Sequence, residues 1–128
     1  MEKKKIITPR APAALGPYSQ AVAYQNLLFV SGQLPIDPAT GKLIEGEIGL
    51  LTRQVIQNLE AILIAAGSDL SKVVRTDVFL KDLKKDFAAM NGEYARHFGT
   101  GVPPARQTIQ VSGLPLDSPI EISCIAYT

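Results

Sequence analysis

Residues 103–127 read PPARQTIQVSGLPLDSPIEISCIAY, and the rest of the chain is organised around this stretch. Two runs typical of β-strands flank a loop that is rich in Pro, Gly and Asp. Each run carries one charged residue, Arg106 in the first and Glu121 in the second. Because side chains two positions apart share a face of a strand, the second run predicts an apolar face formed by Ile120, Ile122, Cys124 and Ala126.

The same alternation predicts where the two charges point. It places Glu121 opposite the apolar face of its run, and Arg106 opposite Ala105, Ile109 and Val111. We therefore expect both charges on one polar face suited to a small ionic ligand, although a solvated sheet face fits the same pattern. A simple hairpin of the two runs would separate Arg106 and Glu121 by roughly 13 Å along the strands. A shared site then needs another strand order or a second subunit.

The composition indicates an ordinary globular protein. The length of 128 residues matches one domain, which we place at residues 1–128. Apolar residues make up 46% of the chain and charged residues 20%, both typical of soluble proteins. A formal net charge of +1 gives no general attraction to nucleic acid or to membranes, so neither is expected as a partner.

Cysteine and histidine are too few for disulfide or metal chemistry. Cys124 is the one cysteine, which excludes an internal disulfide, and no Cys/His cluster predicts zinc. No nucleophile–histidine–carboxylate set can be assembled around the one histidine, His97. Neither a signal peptide nor a membrane span is visible, so the expected location is the cytoplasm.

The N-terminal third predicts a packed loop followed by a hairpin. Residues 11–20, APAALGPYSQ, form an apolar loop in which the Tyr18 hydroxyl faces either water or a ligand. Strands over 19–24 and 27–31 turn at Gln25-Asn26, where Asn tolerates a positive φ. Gly32 follows Ser31 and allows close approach by a ligand or another chain, or a bulge.

Two helices and one further strand complete the pattern. Apolar residues at helical spacing predict helices over residues 49–66 and 83–98, with a strand over 73–80 between them. The second helix carries a core stripe of Phe87, Met90, Tyr94 and Phe98, beside which Asn91 is interpreted as a structural amide. Two helices then cover one face of a mixed sheet, and the partly apolar second face predicts a homo-oligomer.

Four separated motifs resemble the RidA (YjgF) family of reactive intermediate deaminases over nearly the whole chain. They are APAALGPYSQ near the start, VSGQLP in the third strand, FAAMNGEY in the second helix, and PARQTIQV followed by PIEI near the end. The resemblance implies an α+β, chorismate-mutase-like subunit with about six strands and two helices on one face. It also implies a homotrimer with clefts between subunits, and a last strand inserted between two earlier ones.

The resemblance implies an activity and a set of site residues. The reaction is hydrolysis of 2-imino acids and their enamines (2-iminopropionate, 2-aminoacrylate, 2-iminobutanoate) to 2-oxo acids and ammonia, without metal or other cofactor. Arg106 would bind the carboxylate, Glu121 would hold water, and Tyr18 would close the cleft. Many members carry cysteine two residues after the arginine, where this chain has a threonine. The matching positions are Tyr18, Ser31, Gly32, Asn91, Arg106, Thr108 and Glu121.

The residue types suit this chemistry independently of the resemblance. Arginine has the planar fork that matches a carboxylate, and a carboxylate side chain can orient water and move protons. Three other functions stay open from the sequence: a non-catalytic sensor of 2-oxo acids, an RNA-cleaving translation inhibitor and a chaperone-like protein. The near-zero charge, the single histidine and the lack of an aromatic platform argue against RNA.

Overall fold

Eight strands and two helices build the described part of the chain, residues 2–128 of this computed structural model. The predicted helices over residues 49–66 and 83–98 and the predicted strand over 73–80 are confirmed. Two short 3-10 turns cover Leu70–Lys72 and Pro115–Asp117. The elements are β1 (Lys4–Ile6), β2 (Ala21–Tyr24), β3 (Leu27–Gln33), β4 (Ile36–Asp37), β5 (Lys42–Leu43), α1 (Ile48–Ala65), β6 (Val73–Leu80), α2 (Leu83–Phe98), β7 (Ala105–Gln110) and β8 (Ile120–Tyr127).

The last strand lies inside the sheet. Six strands pair in the order β1-β2-β3-β8-β6-β7, and β4 and β5 form a separate two-stranded ribbon. β8 is antiparallel to both β3 and β6, whereas β6 and β7 are parallel neighbours connected through α2. The mixed sheet and the inserted last strand are thus confirmed. β3 and β6 run in the same direction, but β8 separates them, so the hydrogen-bonded parallel pair is β6 and β7.

Side chains alternate between the two faces of the sheet along β8, and its apolar face forms part of the core, as predicted. Every second residue of this strand is buried, and α1 packs across β3 and β8. Gly67 follows α1 with a φ of 81°, a conformation that favours glycine and ends the helix. No helix within residues 2–128 is both long and apolar enough to cross a bilayer. The buried residues on α1 and β8 include Leu51, Val55, Leu59, Ile62, Leu63, Ile120, Ile122, Cys124 and Ala126.

A buried carboxylate joins the two helices. Glu93 on α2 accepts hydrogen bonds from Arg53 Nε on α1 at 3.3 Å and from His97 Nε2 at 2.8 Å. Burial acts to raise the pKa of Glu93, but the hydrogen bonds from His97 and Arg53 outweigh it and leave the pKa below its ordinary value. His97 therefore belongs to the helix contact and not to a catalytic set.

The first hairpin forms where it was predicted, with one local difference. β2 and β3 pair through Tyr24 and Leu27, so the turn is Gln25-Asn26. The residue with a positive φ is Gln25, at 55°, and not Asn26. The short strand β1 pairs antiparallel with β2 and extends this hairpin to the edge of the sheet.

The predicted orientation of β7 is wrong. Arg106 and Thr108 are in register with Thr76 and Val78, which lie on the helix-covered face of β6. Arg106 thus faces α2, while Ile109 lies on the open face and is exposed. The reason is that β7 is the edge strand of the sheet. In an edge strand the apolar side chains need not face the core, so their alternation does not indicate which side is buried.

The face of the sheet opposite the helices is open and partly apolar. Phe29 is 44% exposed and pairs with Ile125, and Leu27 pairs with the exposed Tyr127. Across β2 the same patch continues through Val22 and Tyr24. Aromatic and aliphatic side chains grouped in this way are typical of surfaces that another chain covers.

Replacing Ile122 by alanine tests the central position of β8. Ile122 is fully buried between the sheet and the helices, so Ile122→Ala is expected to lower the free energy of unfolding by about 2–5 kcal/mol. Ile64→Ala, on the outer side of α1, is the matched control and should change it by less than about 0.5 kcal/mol. Equal losses in urea denaturation would contradict the assigned core.

Candidate active site

Arg106 is held by uncharged groups. Its Nη1 donates a hydrogen bond to Asn91 Oδ1 at 2.7 Å. Its guanidinium carbon lies 4.7 Å from the ring centroid of Tyr94 and 5.8 Å from that of Phe87. Within residues 2–128 no carboxylate forms an ion pair with it. The arginine is therefore oriented by an amide and two aromatic faces, and its positive charge is left uncompensated.

Tyr94 and Phe87 were assigned to the core by the sequence, and their contact with Arg106 was missed. Tyr94 Oη lies 2.7 Å from Thr76 Oγ1 on β6, which fixes the ring beneath the guanidinium. Burial raises the pKa of the Tyr94 phenol, against the opposing effects of the Thr76 hydrogen bond and the Arg106 charge. The parallel pairing of β6 and β7 is the signal that would have predicted this contact with Arg106. A helix that connects two parallel neighbours, as α2 does, lies over both strands.

Thr108 lies on the same face of β7 as Arg106. Its Oγ1 is shielded from solvent and has no hydrogen-bond partner within residues 2–128. An unpaired buried hydroxyl is unfavourable by about 1–3 kcal/mol. Asn91, Arg106 and Thr108 therefore form one cluster of polar groups with unused hydrogen-bonding capacity. We call this cluster the arginine half-site.

Glu121 projects from β8 on the open face, where it pairs in register with Phe79. The side chain is half-buried, and burial raises its pKa above the ordinary value for glutamate. No other charge or hydrogen bond contributes to that shift among the described residues. A carboxyl group with a raised pKa and free oxygens is suited to taking up and returning a proton.

Gly32 makes room for Glu121. The pairing of β3 and β8 shifts between Val30 and Gln33, so the predicted bulge is present and includes Ser31 and Gly32. A Cβ at position 32 would lie 2.5 Å from Glu121 Oε2, which no side chain can accommodate without displacing the carboxylate. Of the predicted alternatives the structure shows the bulge, and the group that lies against Gly32 is the side chain of Glu121 from the same chain.

Gln20 fixes the loop that carries Tyr18. Its side-chain Oε1 accepts a hydrogen bond from the Thr8 N–H at 2.8 Å, and its Nε2 donates to the carbonyl oxygens of Thr8 and Pro12 at 3.0 and 2.8 Å. The Ser31 hydroxyl donates to the Ser19 carbonyl oxygen at 2.6 Å and ties the loop to β3. Tyr18 is 54% exposed on this anchored loop. Sequence reasoning missed Gln20, since a glutamine gives no signal of burial.

A pocket of about 260 Å³ adjoins these residues, and we call it the side pocket. Tyr18 and Gly32 both line it, and Gly32 also contacts Glu121. We call Tyr18, Ser31, Gly32 and Glu121 the glutamate half-site. The complete lining of the side pocket is Pro12, Ala13, Leu15, Tyr18, Gln20, Gly32, Gln33, Leu34, Ile36, Pro115 and Leu116.

The two half-sites do not meet within one subunit. Arg106 aligns with Thr76 of β6 on the helix side, whereas Glu121 aligns with Phe79 on the open side. Three residues along the strand correspond to roughly 10 Å, and the two strand spacings between β8 and β7 add roughly 10 Å across the sheet. The prediction that both charges share one face is therefore wrong for a single chain.

Neither half-site includes a metal-binding group. Among residues 2–128, no three His, Cys, Asp or Glu side chains are arranged to hold a metal ion. Cys124 lies in the core, as predicted, and burial raises the pKa of its thiol to about 12. The chemistry available from these residues is carboxylate binding by Arg106 and proton transfer by Glu121.

A family model described as Endoribonuclease L-PSP matches residues 8–128, which include both half-sites. The chain belongs to the RidA (YjgF) family. Reactive Intermediate Deaminase A of Arabidopsis thaliana, a chloroplastic protein, is 48% identical over 126 residues, covering 98% of this chain and 66% of that protein. The chorismate-mutase-like α+β fold follows from the same membership.

Two solved structures are similar in fold to this chain. A protein of the Rid family from Yersinia pestis, described as of unknown function, superposes with a TM-score of 0.95 at 42% identity and covers 99% of this chain and 100% of its own. Escherichia coli TdcF with bound serine superposes with a TM-score of 0.92 at 38% identity, covering 98% of each chain. The family resemblance seen in the sequence is confirmed by the family model and by the Rid-family structure from Yersinia pestis.

Gln20→Leu tests whether this side chain anchors the loop. The change keeps the approximate volume but leaves the Thr8 N–H and several buried carbonyl groups unpaired, so the free energy of unfolding should fall by about 1–3 kcal/mol. Hydrogen exchange of the Thr8 amide should accelerate at the same time. Gln57→Leu, at an exposed position of α1, is the control. Unchanged Thr8 exchange would show that Gln20 does not hold the loop.

Proposed function

We propose that this member of the RidA family hydrolyses 2-imino acids, and the enamines in equilibrium with them, to 2-oxo acids and ammonia. The observation that carries the proposal is the oriented, uncompensated charge of Arg106, which matches the carboxylate of R–C(=NH)–COO⁻. The Arabidopsis relative named Reactive Intermediate Deaminase A supports deaminase chemistry. Serine bound to TdcF is a 2-amino carboxylate, which supports a ligand of this size.

The active unit in this proposal is a homotrimer with clefts between subunits. Arg106 and Glu121 lie on opposite faces of one sheet, so a complete site takes Arg106 from one subunit and Glu121 from its neighbour. The open apolar face around Phe29 supplies a surface for association. A head-to-tail arrangement that closes into a ring gives every subunit one partner for each half-site.

The proposed reaction needs only water and proton transfers. Glu121 accepts a proton from water as the water oxygen bonds to the imine carbon, and it returns that proton to the imine nitrogen to form a carbinolamine. The hydroxyl proton of the carbinolamine then moves to the nitrogen as the carbon–nitrogen bond breaks, so ammonia departs and the 2-oxo acid remains. The imine is already a reactive electrophile, so positioning supplies much of the acceleration.

The other residues assist binding in this scheme. Asn91 orients Arg106, and the Thr108 hydroxyl gains a partner when a ligand oxygen reaches it. The Ser31 N–H already donates to the Gln20 carbonyl oxygen at 2.9 Å, so the backbone N–H that contributes to carboxylate binding is that of Gly32. Tyr18 closes the cleft from its anchored loop. We also infer a cytoplasmic location, in keeping with a single cysteine that is buried and unpaired.

Imine decay tests the proposed activity. 2-Iminopropionate is generated in situ by an amino-acid oxidase, and its loss is followed by semicarbazide capture of the remaining imine. Wild type should accelerate the loss, and Arg106→Ala and Glu121→Ala should each return it to the background rate. An unchanged rate with wild type would favour a non-catalytic sensor. RNA cleavage that persists in both variants would favour a nuclease.

Mixing the two inactive variants tests the shared site. In a ring of three, random co-assembly of Arg106→Ala and Glu121→Ala subunits after unfolding and refolding leaves about one quarter of the clefts intact. The mixture should therefore regain about one quarter of wild-type activity. Each variant refolded alone is the control. Failure to regain activity in verified mixed trimers would contradict a cleft that takes Arg106 from one subunit and Glu121 from its neighbour.

The acid limb of the pH profile tests Glu121 as the base. Burial raises the pKa of its carboxyl, and only the ionised form accepts a proton, so the catalysed rate should fall as the pH drops through that raised pKa. Each rate is taken relative to spontaneous decay at the same pH. Glu121→Gln should be slow and should lack this limb. The same limb in residual Glu121→Gln activity would assign it to another group.

A further inference from the structure

The side pocket is apolar although it includes Gly32, against which the Glu121 carboxylate lies. Its side chains are mainly those of proline, alanine, leucine and isoleucine, and no charged residue lines it. Both glutamines of the lining are already bonded, Gln20 to the loop backbone and Gln33 Nε2 to the Ser31 carbonyl oxygen at 3.2 Å, so the Tyr18 hydroxyl is the remaining polar side-chain group. A polar group entering the pocket would thus lose water and find few partners in return.

Leu116 occupies an unfavourable position at the rim of this pocket. Its φ is 58° and that of Asp117 is 57°, so two consecutive residues with a Cβ adopt the left-handed conformation. Leu116 is nevertheless 65% exposed, and burial in the core does not compensate for this backbone strain. Strain that packing does not explain is found preferentially at functional sites.

We propose that the side pocket binds the side chain of the substrate, and that Leu116 is a specificity-determining residue for 2-imino acids with branched or other bulky apolar side chains. This inference rests on the proposed imine hydrolysis. Gly32 carries the geometric argument, because it contacts the Glu121 carboxylate and also lines the side pocket. An imine carbon placed at Glu121, with its carboxylate directed to the neighbour's Arg106, leaves the third substituent next to this pocket.

The volume supports a substituent larger than methyl. A methyl group would leave most of the roughly 260 Å³ filled with water, whereas an isobutyl, thioether or benzyl group would replace that water with apolar contacts. An amide of similar shape would be desolvated with at most the Tyr18 hydroxyl as a side-chain partner, which compensates only part of the loss. The expected order of catalysed rates is therefore leucine-derived imine above alanine-derived imine, with the asparagine-derived imine lowest.

The experiment compares these three imines, each generated in situ from its amino acid and followed by semicarbazide capture. Wild type should hydrolyse the leucine-derived imine about tenfold or more faster than the asparagine-derived imine, which has a similar shape. In Leu116→Gly the leucine-to-alanine rate ratio should fall several-fold, while thermal stability stays equal or rises because glycine adopts a positive φ freely. Ala13→Phe, which fills the pocket, should lower the same ratio.

Asp117→Gly is the matched control, because it relieves the same backbone conformation at a residue that does not line the pocket. Its rate ratio should equal that of wild type. If alanine-derived imine is hydrolysed but the ratio does not change in Leu116→Gly and Ala13→Phe, the side-pocket inference is overturned and the deaminase function stands. If wild type hydrolyses none of the three imines, the proposed function itself fails.

Discussion

The position of β8 between β3 and β6 is the constraint on which the core and the site both depend. The strand is antiparallel to both neighbours, so its alternate side chains divide strictly between the helix side and the open side. Ile122 and Cys124 fill the core, while Glu121 stands on the opposite side against the Gly32 bulge. A slip of one residue would bury the carboxylate and expose the core together.

Charged side chains contact α2 on two sides, and their charges are paired on one side and unpaired on the other. Toward α1, the Glu93 carboxylate accepts hydrogen bonds from Arg53 and His97 and forms an ion pair with Arg53, which is the arrangement of a stable helix contact. Toward β7, Arg106 meets the Asn91 amide and the Tyr94 ring, which orient the guanidinium without neutralising it. The first arrangement satisfies both charges, and the second leaves one available to an anion from solution.

Periodicity predicted the helices and the central strands because those elements bury one complete side. The apolar positions of β8 and the α1 stripe correspond directly to buried residues. The orientation of β7 was not predictable in this way, since Ile109 is apolar but exposed and Arg106 is polar but faces a helix. The motifs identified the residues of both half-sites, but only the strand order shows that a sheet separates Arg106 from Glu121.

Arg106 has a second physical effect that follows from its place on β7, the last strand of the sheet within residues 2–128. The outer edge of such a strand offers backbone donors and acceptors to any extended peptide, and cationic or long polar side chains discourage that pairing. The segment from Arg106 to Gln110 also contains Gln107 and only one large apolar residue, Ile109. The cationic side chain that we propose binds an anion is thus also one that disfavours edge-to-edge pairing with another chain.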